Sequence, residues 1–133
     1  MSKLKATIKQ IQTLDNLNIV NFDFCGISLS MMSLELKENV QVGRKVNLGI
    51  KPTTVAIGKN FSGEISFSNQ LKGVIKEIDL GKLLCSIKVL TNGIIIDSII
   101  TSNSAKRLNL QVNDEVIAII KASEISILEV LDD

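Results

Sequence analysis

Two stretches of this chain carry side chains that could hold a ligand. Residues 100–110 leave an apolar run through Thr101, Ser102, Asn103 and Ser104 before reaching Lys106 and Arg107. A second apolar run, residues 116–120, ends at Lys121, Ala122 and Ser123. Two strand ends would thus each deliver hydroxyls, amides and one ammonium, with no nearby acid, base or metal ligand beside Thr101 or Lys121. A set made only of donors suits a small multiply charged anion better than it suits a reaction. The same residue types also have ordinary structural uses. A Thr followed three residues later by Ser commonly caps a short helix, and a lysine at the end of an exposed strand is commonly a solvated charge.

Composition excludes several classes of function. The 133 residues contain no His, which removes the commonest transition-metal ligand and the commonest general base. No activated nucleophile and no phosphate-cradling glycine loop is present either, so an enzyme is not expected. Fifteen basic residues stand against fourteen acidic ones, and the four Phe come without Trp or Tyr. Neither a basic stripe nor a stacking platform for bases exists, which argues against nucleic acid as a partner. The apolar runs fall far short of the ~20 residues needed for a membrane helix, and the first residues lead directly into a strand-like pattern, so no membrane span and a cytoplasmic location are expected. Cys25 and Cys85 sit in apolar runs and read as small buried hydrophobes in a reducing compartment.

The elements that must position the donors are strands. Apolar residues make up 45% of the chain and are mostly Ile, Leu and Val, a composition that favours sheet. Alternation marks strands over residues 4–11, 18–25, 27–32, 46–50 and 54–57, with a turn at Asp15 and Asn16. Residues 33–38 could make one or two helical turns capped by Ser33. Residues 58–63 are polar and carry two glycines, as a linker would. Beyond it the pattern returns: residues 71–78 repeat residues 4–11 at a shift of 67, with Leu, Lys, Ile, Lys and Ile identical. Near the end, Val112, Val116, Ile120 and Lys121 repeat Val42, Val46, Ile50 and Lys51 at a shift of 70.

The chain therefore reads as an internal duplication, with units at residues 1–58 and 64–133. Each unit has about five short strands and a helical turn between the third and fourth, which fits an all-β fold of tandem OB-like five-stranded barrels, each with a short helix. Units of about 60 residues are marginal alone, so they should pack on each other. The run 94–100 is apolar on both faces apart from Asp97 and Ser98, and this also calls for a cover by packing or oligomerisation.

The order Ser66, Asn69, Leu71, Gly73, then Ile100, Thr101 and Ser104, then Leu108 and Leu110, then Val116 and Ala118, then Lys121 and Ala122 resembles the molbindin family. Its domain, also called Mop or TOBE, has the pattern S-x-R-N-x-L-x-G, I-T-x-x-S, L-x-L, V-x-A, K-A. Residues 66 to about 128 follow it closely, and residues 4–57 look like a degenerate copy. The resemblance implies a non-enzymatic, cytoplasmic two-domain protein that binds molybdate or tungstate for storage or homeostasis, with sites between domains or subunits. It also implies a homo-oligomer, a trimer in the two-domain members. The oxyanion-binding positions it implies are Ser66, Ser68, Asn69, Thr101, Ser104, Lys121, Ala122 and Ser123, with no cofactor or metal centre beyond the anion. Ser68 departs from the pattern: the family has Arg there, and this chain lacks the charge and rigid fork of donors it would bring. At a shift of 70 the first unit places Met31 and Leu34 against Thr101 and Ser104, and only Lys51, followed by Pro52, survives. That unit is expected to lack a full site of its own.

Molybdate is doubly charged and carries no proton at neutral pH, so its oxygens only accept and a pocket of donors satisfies it. Hydrogen phosphate would bring a proton that needs an acceptor. The alternative reading is an interaction module that has lost its ligand and docks on a molybdate transporter or regulator.

Overall fold

The computed structural model describes residues 1–132. Ten strands form two curled five-stranded antiparallel sheets. In chain order they are β1 (Ser2–Leu14), β2 (Leu17–Phe24), β3 (Ile27–Ser33), β4 (Lys45–Ile50), β5 (Val55–Gly58), β6 (Asn69–Leu80), β7 (Leu84–Thr91), β8 (Ile94–Thr101), β9 (Glu115–Ile120) and β10 (Ile125–Val130). One helix, α1 (Ser102–Arg107), follows β8, and 3-10 turns at Pro52–Thr54 and Ala122–Glu124 precede β5 and β10. The strands expected from alternation are all present. The reason is visible in β2, where Asn18, Val20, Phe22 and Phe24 are buried and their neighbours are not.

The duplication shows in the backbone. The long strands β1 and β6 each serve two neighbours and slip register at equivalent places, between Ile8 and Gln10 and between Ile75 and Glu77. The extra residue is Lys9 in one copy and Lys76 in the other, the second lysine of the repeated pattern. Such a bulge bends the strand and lets a five-stranded sheet curl. Gly73 serves the same curl, since a Cβ there would lie 2.5 Å from the Leu90 carbonyl oxygen and 2.6 Å from Val89 Cγ1.

Strand exchange is the main feature that local patterns did not carry. The sheets run β10-β4-β1-β2-β3 and β5-β9-β6-β7-β8. The fifth strand, expected to complete the first unit, instead pairs with β9 of the second through Val55–Ile120 and Ala56–Ile119. In return β10 pairs with β4 through Ile125–Ile50 and Ile127–Leu48. Each sequence half therefore supplies four strands to one sheet and one to the other.

A shared core follows from this exchange. Leu4, Phe22, Leu48 and Ile50 of one sheet pack in a single buried cluster with Leu71, Ile96, Ala118 and Ile120 of the other. A fully buried side chain of this size contributes roughly 1.5–3 kcal/mol, so the contact between sheets stabilises both. A second cluster, Ile75, Cys85, Ile87, Val89 and Val116, lies under Ala105 of α1.

Three local expectations are corrected. Residues 34–37 form no helix: the Ser33 hydroxyl donates to the Glu35 carbonyl at 2.6 Å. The hairpin turns Cys25-Gly26 and Asn92-Gly93, both with positive φ, align the copies through β3 and β8 at a shift of 67. The shift reaches 70 only at β4 and β9, so the first copy is three residues shorter where the second has α1. Leu34 and Lys37, rather than Met31 and Leu34, thus stand at the places of Thr101 and Ser104. Leu34 has no hydroxyl to cap a helix. Cys25, expected to be buried, is exposed because it sits in the turn at φ 50°, whereas Cys85 is buried.

Candidate functional site

Thr101 ends β8 and caps α1. Its hydroxyl accepts from the Ser104 backbone N–H at 3.1 Å and donates to Ser104 Oγ at 3.0 Å. Arg107, one helical turn on, donates from Nη2 to the same Ser104 oxygen at 3.3 Å. Ser104 Oγ thus accepts two hydrogen bonds, which leaves its own proton for an outside acceptor beside a guanidinium. Of the amides at this helix start, Ser102 N–H is spent on the Leu83 carbonyl and Ser104 N–H on Thr101. The Ser102 hydroxyl is spent on the Gly81 carbonyl at 2.8 Å. Two bonds therefore fix this arm to the tip of the β6–β7 hairpin.

The second arm gathers at the other end of β6. Asn69 pairs with Ile120, so Ser68 and Lys121 are the next residues outward on the two strands. Lys121, Ser123, Ser66 and Ser68 are exposed and Ala122 is half-buried. The turn that holds Ala122 and Ser123 packs against β3 of the other sheet. Asn69 does not offer its amide to a ligand here. Fully buried, it donates from Nδ2 to the Ser30 carbonyl at 2.9 Å and accepts from the Ser30 N–H at 2.7 Å.

The two arms start from opposite ends of β6, a strand of 12 residues, and among the described residues no hydrogen bond joins Thr101 or Ser104 to Lys121 or Ser123.

Two further residues stand beside these arms. Arg107 is three residues from Ser104, the helical spacing that brings them together. The turn after Lys51 copies the turn after Lys121, with φ/ψ of −76°/136° against −70°/144° at the two lysines, and places Thr53 where Ser123 stands.

Electrostatic anchoring near the helix comes from the connection between the sheets. Lys59 Nζ lies 2.9 Å from Asp114 Oδ2 and donates to the Asn109 carbonyl at 2.8 Å. The hydrogen bond from Lys59, followed by one from the Gln111 backbone N–H, holds the Asp114 carboxyl below the usual carboxylate range. The Lys88 ammonium is pushed up by its hydrogen bond with Asp97 at 2.9 Å. Burial pushes up the Cys85 thiol, with Asp79 adding to the effect. No group of three or more His, Cys, Asp or Glu that could hold a metal ion occurs among the described residues. No helix among them is long and apolar enough to cross a membrane.

Comparison with known proteins adds three findings. A comparison with curated protein sequences gives no significant match. Among solved structures, the chain is similar to the cytoplasmic molybdate-binding protein ModG, in a crystal form with molybdate bound, with a TM-score of 0.88 and 24% identity. The likeness covers 94% of this chain and 93% of that one, so the duplicated, OB-like fold is shared over its length. The family model for the TOBE domain matches residues 65–127, which contain β6–β9, α1 and the Lys121 turn. Residues 65–127 of this chain are thus similar to the TOBE domain, and the fold of the whole chain is that of the solved structure.

Proposed function

We propose that this protein binds molybdate or tungstate in the cytoplasm, for storage or homeostasis and without catalysing a reaction, at sites formed between subunits. The observation that carries the reading is the Thr101–Ser104–Arg107 arm, in which one hydroxyl accepts two hydrogen bonds and keeps its own proton for an incoming acceptor. Lys121, Ser123, Ser66 and Ser68 supply the second set of donors, on a domain of the TOBE family. The likeness to a molybdate-binding protein over nearly the whole chain supports the choice of anion.

Energetics permit it. Hydrogen bonds to a charged partner contribute about 1.5–3 kcal/mol each, and micromolar affinity needs ~8 kcal/mol. Several such bonds reach that value after desolvation and ordering are subtracted. Arg107 also provides the guanidinium that is missing at Ser68, from a different element. Molybdate brings no proton, whereas hydrogen phosphate brings one that these donors leave without a partner.

The test is a calorimetric titration with molybdate and tungstate, with sulfate and phosphate as competitors and Lys121→Ala as the control. Binding at micromolar concentration or below that Lys121→Ala weakens supports the reading. The absence of heat with every oxyanion overturns it.

A further inference from the structure

The start of α1 is held by a part of the chain that the oxyanion reading does not use. Ser102, the first residue of α1, is 1% exposed, although Thr101 and Asn103 on either side are exposed. Its hydroxyl donates to the Gly81 carbonyl at 2.8 Å, and its backbone N–H donates to the Leu83 carbonyl at 2.8 Å. Both acceptors lie in the β6–β7 connection, which the Gly81 N–H closes on the Leu84 carbonyl at 2.9 Å. A Cβ at residue 81 would stand 2.8 Å from the same Leu84 oxygen, so this close turn calls for glycine. Leu84 in turn is the register partner of Thr101. Thr101, Ser102 and the connection thus form one latched corner.

The first copy lacks this corner. Thr13 pairs with Asn18 as Leu80 pairs with Cys85, at a shift of 67. The first hairpin goes on to pair Leu14 with Leu17, whereas the second stops and turns the Gly81 and Leu83 carbonyls to Ser102. Glu35, which is exposed, stands at the place of Ser102. No helix follows it, and a cleft opens there between β3 and β10. The latch and the donor arm are therefore present together in one copy and absent together in the other.

A helix of six residues is too short to be stable by itself. Ala105 anchors α1 in the core, and the Ser102 bonds fix where it starts. Groups that hold a ligand work when supporting hydrogen bonds keep them within about 0.5 Å of the productive geometry.

We infer that Ser102 is a positioning residue for the oxyanion arm: its bonds to the Gly81 and Leu83 carbonyls set the direction in which Ser104 Oγ presents its proton. The inference rests on the oxyanion reading above for its ligand, while the latch stands on its own geometry. Ser102 itself touches no anion, because its side chain is buried and its proton is spent on Gly81. Without that hydroxyl the start of α1 is loosened, and an incoming anion has to order the arm as it binds, which lowers affinity.

The experiment titrates the full chain with molybdate by calorimetry for wild type, Ser102→Ala, Gly81→Ala and Ser2→Ala. Gly81→Ala disturbs the latch from the acceptor side without changing α1, and it serves alone if Ser102→Ala does not fold. Ser2→Ala removes a hydrogen bond where the sheets meet, far from the arm in the sequence, and controls for a general loss of stability. Circular dichroism melts confirm that each variant is folded at the titration temperature, and hydrogen exchange of the Ser104 amide without anion reads the latch directly. The expected result is affinity lowered roughly tenfold or more in both latch variants, the scale on which supporting hydrogen bonds act at ligand sites. The number of sites and the affinity of Ser2→Ala should stay at the wild-type values, and the Ser104 amide should exchange faster in the latch variants. Wild-type affinity in folded latch variants overturns the positioning role, as does an equal loss in Ser2→Ala. If wild type takes up no molybdate, the oxyanion reading falls and the exchange rates decide the latch: faster exchange in the variants keeps it, and unchanged exchange removes it.

Discussion

Asn69 holds Ser30 of the opposite sheet by both backbone groups, accepting from its N–H at 2.7 Å and donating to its carbonyl at 2.9 Å. The equivalent contact in the other direction is half as large, since Ser2 Oγ only accepts, from the Asp97 N–H at 2.8 Å. The two contacts tie the first residues of β1 and β6 to the outer strands β3 and β8. They act where the sheets meet, beside the shared core.

Replacing Asn69 by Ala should therefore lower stability. Both backbone groups of Ser30 lose their partner, and leaving such groups unsatisfied costs about 1–3 kcal/mol each. Ser2→Ala should cost less, about 1 kcal/mol. Urea unfolding followed by circular dichroism measures both. Molybdate affinity of the folded Asn69→Ala protein should stay at the wild-type value, and a large loss would return Asn69 to the ligand set.

The helix cap and the anion arm can be separated at Thr101 and Ser104. Thr101→Val removes the acceptor for the Ser104 N–H and should destabilise by about 1 kcal/mol, as well as weakening molybdate binding. Ser104→Ala keeps that backbone bond and should weaken binding with little change in melting temperature. Arg107→Met should lower affinity by roughly tenfold, the effect of one charge-assisted hydrogen bond, and should flatten the salt dependence of binding. Calorimetry at two salt concentrations reads each effect, and an unchanged Arg107→Met affinity would remove the guanidinium from the site.

Acid should loosen the connection at Lys59. The Asp114 carboxyl is held below its ordinary value by Lys59 and then by the Gln111 N–H. A group depressed in this way contributes stability that is fully present above its unfolded pKa of ~3.9 and is lost as pH falls through the lower folded value. Asp114→Asn should consequently melt below wild type at pH 7, modestly because the pair is partly exposed. The gap between the two proteins should close as the pH is taken below 4. Thermal melts at pH 7, 5 and 3 test this, and a gap that persists unchanged at pH 3 would contradict it.

Strand exchange predicts how the halves behave when separated. Residues 64–133 alone lack β5, which leaves β9 unpaired along its Ala118–Ile120 edge, and their own β10 has no β4 to join. A free strand edge recruits another strand. The fragment should be poorly folded or should associate with itself, while adding residues 1–63 should restore a folded complex. Circular dichroism and light scattering on the fragments distinguish these results from a fragment that folds as a stable monomer.

Local chemistry made much of this protein legible from its sequence. Alternation located most of the strands because one face of each is buried, β10 being expected only from the count of about five per unit, and the repeated Leu, Lys, Ile, Lys, Ile revealed the duplication along with the lysine that becomes the bulge. The family pattern pointed to Thr101, Ser104 and Lys121, since donors at strand ends are a local feature. Tertiary structure decided what depends on distant partners. The exchange of β5 and β10 was hidden because an apolar strand fits either sheet until the whole core is assembled. Asn69 lost its place among free donors because Ser30, 39 residues away, takes both ends of its amide. The helix expected over residues 33–38 gave way to an open cleft because the connection there is three residues short and Leu34 cannot cap it. That the two donor arms start from opposite ends of β6 likewise depends on its pairing with β7 and β9, which no spacing between Thr101 and Lys121 could convey.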